Sequence, residues 1–121
     1  MDYEIIMHKL GAITAAEVKS DEIVINNERD AVDLLGNCNY EGAQAAIVYE
    51  ENLPPAFFDL KTRLAGEILQ KFSTYRFKLA IIGEFSKYNS DSLRRFINES
   101  NRAGEINFVS TLEEALQKLG K

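Results

Sequence analysis

Tryptophan is absent from this chain, cysteine and histidine occur once each, and proline occurs twice. The lone cysteine, Cys38, excludes an intramolecular disulfide and any zinc site built on several thiolates. The lone histidine, His8, leaves no His cluster for hydrolytic chemistry, which needs a nucleophile, a base and an oxyanion holder together. Basic residues are also short: 14 Lys and Arg against 19 Asp and Glu give a formal net charge of −5. That sign argues against nucleic acid or an anionic membrane as the main partner. No apolar run approaches the roughly 18 residues of a membrane span. The start, MDYEIIMHKL, has early acids and no long apolar stretch, so no signal peptide is expected. The compartment implied is the cytoplasm.

What is present suits one ordinary domain. With 121 residues, 45% of them hydrophobic and 27% charged, there is material for one core and not for two. The segment Ala45 to Gly83 organises the rest. Two short apolar runs, Ala45–Tyr49 and Leu79–Ile82, bracket a Pro-Pro loop and a long amphipathic pattern. This is the signature of a βαβ crossover with parallel strands. Pro55 suits a first helical position. Phe57, Leu60, Leu64, Ile68 and Phe72 then recur as one stripe, so a single long helix is expected from Pro55 onward.

Elsewhere, Tyr3–Leu10 and Ile13–Val18 flank Gly11 and read as an N-terminal hairpin. Ile23–Ile25 is either an edge strand or a core anchor. Asn27 is a good N-cap for a helix whose inner face is Ala31, Leu34, Leu35 and Cys38. Cys38 therefore reads as a small core hydrophobe rather than a reactive thiol. Ser90 caps a third helix with Leu93, Phe96 and Ile97 inward and Gly104 at its end. Ile106–Val109 is a last strand, and Thr111 with Glu114 forms a capping box before a final helix. The expected fold is a single-domain α/β layer sandwich over residues 1–121, with a mixed, mostly parallel sheet, an N-terminal hairpin and about four helices.

This order resembles that of STAS domains, the anti-sigma factor antagonists and their transporter relatives. Phe57-Phe58-Asp59 falls where those proteins place an apolar-Asp pair before the regulatory helix, and Phe96–Leu119 has their strand-then-terminal-helix pattern. The resemblance implies a regulatory module that works by protein contact. One departure is plain: Asp59 is followed by Leu60 and Lys61, and the first hydroxyl is Thr62, so no phosphorylatable Ser occupies the matching place. More closely, the chain is similar to a family of small bacterial proteins filed as domain of unknown function family 4180. There the run ENLPPAFFDLKTRLAGEILQKFSTYRFKLAIIGEFSKY, here Glu51 to Tyr88, is the kind of block that defines membership.

Ligands of open α/β sheets gather beyond the carboxyl ends of the parallel strands. That rim would carry Glu50, Glu51 and Asn52 after one strand and Glu84, Phe85, Ser86, Lys87 and Tyr88 after the next, with Asp59 nearby. Glu50, Glu51 and Glu84 are weak candidates for a hard cation, and Glu50 with Glu84 for acid–base work. Each has a plainer reading as solvated acid. A phosphate cradle is disfavoured, because Gly83 is followed by Glu84 rather than by more glycine. His8 is expected far from the rim. Arg94, Arg95 and Arg102 form the one cationic cluster, either a solvated face or a dock for an acidic partner. On a helix Phe57 and Phe58 would point about 100° apart, so one ring is either tucked beneath the Pro-Pro loop or left exposed, and an exposed ring beside prolines would mark a protein contact. The expected function is therefore a non-catalytic, protein-binding module. Its docking surface would be Leu53, Pro54, Pro55, Phe57, Phe58 and Asp59, with Glu84, Phe85, Lys87 and Tyr88 alongside. No cofactor is expected, and the partner is another protein or a second copy joined at that junction or at a free sheet edge. The alternative is a small-ligand or divalent-metal binding protein, or an enzyme, using the acidic rim.

Overall fold

The computed structural model describes residues 2–121. A hairpin of β1 (Glu4–Leu10) and β2 (Ile13–Lys19) leads into α1 (Glu28–Tyr40), β3 (Ala45–Tyr49), α2 (Leu64–Thr74), β4 (Lys78–Ile82), α3 (Asp91–Ala103), β5 (Ile106–Val109) and α4 (Leu112–Leu119). The five strands lie in the sheet in chain order; β1 is antiparallel to β2, and every other neighbour pair is parallel. The expected mixed α/β domain, with its hairpin and four helices, is what the chain forms.

Strand alternation sorts the side chains onto two faces. Ala16, Val18, Ala46, Val48, Leu79, Ile81, Ile106 and Phe108 meet α1, α2 and α3 in the larger core. Ala15, Ala45, Ile47, Ala80, Ile82 and Val109 meet only the short α4. Successive crossovers of one hand between adjacent strands put their helices on one side, which explains three against one. Helix boundaries follow their caps: Asn27 accepts from the Asp30 N–H, Ser90 from Leu93 and Thr111 from Glu114, each at 2.9–3.2 Å. Gly104, at φ 85°, ends α3 in the left-handed region. Cys38 is fully buried, and burial, with Glu41 adding to it, pushes its thiol up to about 12. The Ile23–Ile25 stretch is a core anchor and not a strand: Ile25 is buried while Val24 donates its N–H to the Asn52 carbonyl at 2.9 Å.

One expectation fails. The long helix from Pro55 is broken into two 3-10 turns, Pro55–Phe58 and Leu60–Thr62, and only then α2. Arg63 sits at φ 65°, which no continuous helix permits. The Thr62 hydroxyl stabilises the break, donating toward the Ala56 and Asp59 carbonyls at 2.7 and 2.8 Å and accepting from the Leu64 N–H at 3.2 Å. Apolar spacing survived the break, so periodicity alone could not see it.

Candidate functional site

The break decides where the two aromatic rings go. Phe57 and Phe58 are both buried, at 1% and 7% exposure, which rules out the alternative of an exposed aromatic. The 100° argument assumed α-helical backbone, but here a short turn gives way to an extended Asp59. The two rings join the same core and meet each other edge-on at 5.0 Å. Phe57 faces the main core, while Phe58 is roofed by the loop after β4, stacked on Tyr88 at 4.9 Å and 6.0 Å from Phe85. Phe85 in turn meets Phe108 edge-on at 5.2 Å. Aromatic contacts of this kind add to their area burial, and they fasten the Pro54–Asp59 junction to the Phe85–Tyr88 turn.

A polar clamp fastens the same loop after β4 to the end of β3. Glu50, just past β3, accepts from the Glu84 N–H at 3.1 Å and from the Tyr88 hydroxyl, and pairs with Lys87 at 2.7 Å. Burial alone would raise the Glu50 carboxyl; the bonds from Lys87, Tyr88 and Glu84 outweigh it and hold it below the usual range. Tyr88 is correspondingly raised, by burial and by that carboxylate. Gly83 makes room for this arrangement, since a Cβ there would lie 2.7 Å from the Glu50 Cβ. Asn52 belongs to the scaffold rather than to the rim. Its fully buried side chain accepts from the Tyr49 N–H and donates to the Ser20 and Glu22 carbonyls at 2.9–3.0 Å.

Around the clamp lies a cleft of about 550 Å³, with Leu53, Pro55, Phe58 and Ile82 giving it apolar walls. Glu51, Lys87, Tyr49 and Ser110 supply polar groups. It occupies the position that open α/β sheets use for ligands. The structure places Leu53, Pro55, Phe58, Glu84, Lys87 and Tyr88 around one cleft, with Pro54 and Phe85 on the adjoining loops, Phe57 beneath and Asp59 outside, capping the Lys61 N–H at 3.2 Å. It does not assemble the metal or acid–base candidates. Glu84 reaches Glu50 through its backbone and not its carboxylate, and among the described residues no group of three or more His, Cys, Asp or Glu is placed to hold a metal ion. Arg94 pairs with Asp91 at 2.8 Å on α3, and with Phe85 and Ile97 it lines a smaller cavity of about 240 Å³ behind the rim loop. Arg95 and Arg102 are exposed.

Sequence reasoning missed a second polar centre. Glu17, 4% exposed, stands on the α4 face of β2. Its carboxylate accepts from the His8 ring at 2.9 Å and from the Tyr49 hydroxyl at 2.7 Å, with Lys19 at 3.9 Å. Burial would raise this carboxyl, yet the Tyr49 and His8 bonds and the Lys19 charge leave it lowered. Burial and the Glu17 carboxylate push Tyr49 up to about 12. Because Tyr49 also lines the cleft, His8 reaches the rim through two hydrogen bonds instead of standing remote from it. A signal for this existed. A tight turn pairing Leu10 with Ile13 puts His8 diagonal to Glu17 on one face.

No helix among the described residues is long and apolar enough to cross a membrane. No curated protein and no solved structure matches the chain. A family model does match, over residues 10–119, and the chain belongs to that family, described as a domain of unknown function (DUF4180).

Proposed function

We propose that this domain is a binding module of STAS-like type that contacts another protein across its rim in a bacterial cytoplasm. One observation carries the reading: the ionisable groups at the centre of the cleft are engaged with one another. Both Glu50 oxygens are occupied, Lys87 is paired and Tyr88 donates to the same carboxylate. What the rim offers a partner is a rigid, partly apolar surface rather than a free acid, base or nucleophile, and preorganisation of this kind favours binding. The complete order ββαβαβαβα supports carrying the STAS comparison over. The missing Ser after Asp59, and the structural use of the Thr62 hydroxyl, support control by something other than phosphate on the helix start.

The accessible part of the surface is Pro55, Glu51, Glu84 and Lys87, all exposed. Pro55→Asp in the immobilised full chain, compared with wild type and with the distant Arg95→Glu, tests the reading. Proteins held by wild type and Arg95→Glu should be lost from Pro55→Asp. An unchanged set would sink the rim as a docking surface. The cleft's volume favours a second reading, a small ligand, since about 300–1,000 Å³ is usual for such sites. A thermal-shift panel of nucleotides, divalent cations and small metabolites separates the two, because a ligand at about 100 times its Kd adds about 2.7 kcal/mol.

A further inference from the structure

The apolar-walled cleft does not end at Glu51. Tyr49 and Glu51 also line a second depression of about 470 Å³, bounded further by Glu4, Lys19 and Asp21. The shared wall makes the two hollows one groove across the ends of β4, β3 and β2, which are neighbours in the sheet. An acid stands at the same place beyond each strand. Asp21, Glu51 and Glu84 are each the second residue past Lys19, Tyr49 and Ile82, the ends of β2, β3 and β4. The parallel register of Glu17 with Ile47, and of Tyr49 with Ile82, sets these three positions level. One step across a sheet is about 5 Å, so the row spans about 10 Å. All three acids are exposed, and none is in an ion pair among the described residues. The lysines lining the groove are already engaged: Lys87 with Glu50 at 2.7 Å, and Lys19 with Glu17 at 3.9 Å and over the Tyr49 ring at 5.2 Å.

We infer that the partner taken by this groove is a basic segment of a protein, with at least two Lys or Arg side chains set against Asp21, Glu51 and Glu84. The inference rests on the reading of the rim as a protein contact and names the chemistry of what it contacts. Lys and Arg join an apolar stem to a cationic head. The stem suits the wall of Leu53, Pro55 and Phe58, and the head suits the carboxylates along the lips. An acidic segment would meet like charge along the whole row and find both lysines occupied. A bare metal ion does not serve instead, since among the described residues no three His, Cys, Asp or Glu are placed to hold one. The net charge of −5 attracts the same class of partner from a distance.

The experiment is fluorescence anisotropy on the full chain with a panel of short labelled peptides. Each carries two Lys or two Arg at varied spacing in an Ala-Leu background, and matched peptides carry Gln or Glu instead. Wild type should bind members of the basic set at least about tenfold more tightly than their Gln counterparts, and should not bind the Glu set. The double variant Glu51→Lys with Glu84→Lys should bind the basic set at least about tenfold more weakly than wild type. Glu41→Lys with Glu105→Lys makes the same change in net charge at the opposite ends of the strands, where both residues are exposed. That variant should stay within about twofold of wild type, because salt screens distant charges. Thermal unfolding confirms that both double variants fold. A wild type that binds no basic peptide, or that binds the Gln set equally well, overturns the inference. So do equal losses in the two double variants, which would show only a general attraction to an acidic chain. Proteins lost from Pro55→Asp yet held by the Glu51 and Glu84 double variant would keep the rim as a docking surface and strike the basic partner. Proteins kept by Pro55→Asp would strike the rim itself.

Discussion

Two carboxylates in this molecule have similar partners and different duties. Glu17 and Glu50 each accept from a tyrosine hydroxyl, each stand near a lysine, and each are lowered in spite of burial. Glu17 sits inside the sheet and ties three successive strands sideways, through His8 on β1 and Tyr49 on β3. Glu50 sits beyond the sheet and ties two loops together. The side chain of Glu17 is 5% exposed and that of Glu50 14%. The first is therefore scaffold. The second mainly shapes a surface and contributes less to the fold. A carboxylate at a sheet's rim is not available for chemistry merely because it is there, since what it already binds decides its use.

That contrast can be broken or sharpened by substitution. Glu17→Ala strands the Tyr49 hydroxyl and the His8 ring and should cost about 3 kcal/mol in chemical denaturation; a loss no larger than that of Glu50→Gln would erase the distinction. Gly83→Ala drives a Cβ against Glu50 and should cost about 2 kcal/mol. Because it acts through the clamp, the double variant with Glu50→Gln should lose less than the two losses added together. Glu50→Gln alone should cost about 1 kcal/mol and should loosen the 84–88 loop in amide exchange while the strands stay protected.

Acid supplies a fourth comparison. A carboxyl held lower in the folded chain than its ordinary value of 4.5 stabilises the fold above that value. The contribution disappears as pH falls through the folded-state value. The wild type should thus lose stability progressively below about pH 4.5, and Glu17→Gln and Glu50→Gln should each flatten part of that slope. A slope unaltered in both variants would show that other carboxyls carry it. The smallest effect is at Lys87, whose side chain is 55% exposed. Lys87→Met should cost under about 1 kcal/mol and leave the Phe58–Tyr88 stack in place, as the ring resonances of Phe58 would report.

The elements of the fold were legible because each announces itself locally. Runs rich in β-branched and aromatic residues on either side of Gly11 marked β1 and β2, Asn27, Ser90 and Thr111 marked helix starts, and the small apolar run Ala45–Val48 marked a buried strand. The rim was legible one step further, from the rule that ligands gather where parallel strands end. Phe57 and Phe58 were misjudged because the periodicity of Phe57, Leu60 and Leu64 suits a helix and a pair of short turns equally. Glu17 was passed over because a lone acid in ITAAEVK reads as a solvent-facing position until its cross-strand neighbours are known.

By itself the sequence determined what short-range chemistry controls: which segments are strands or helices, where they start, which faces are apolar, and that one domain results. Tertiary structure alone decided which distant groups share a space. It set Tyr88 over Phe58, Glu50 on Lys87 and Tyr49 on Glu17. The physical reason is that hydrogen bonds and ring contacts reach only a few ångströms. Groups separated by 30 or more residues act together only once the sheet has set their places.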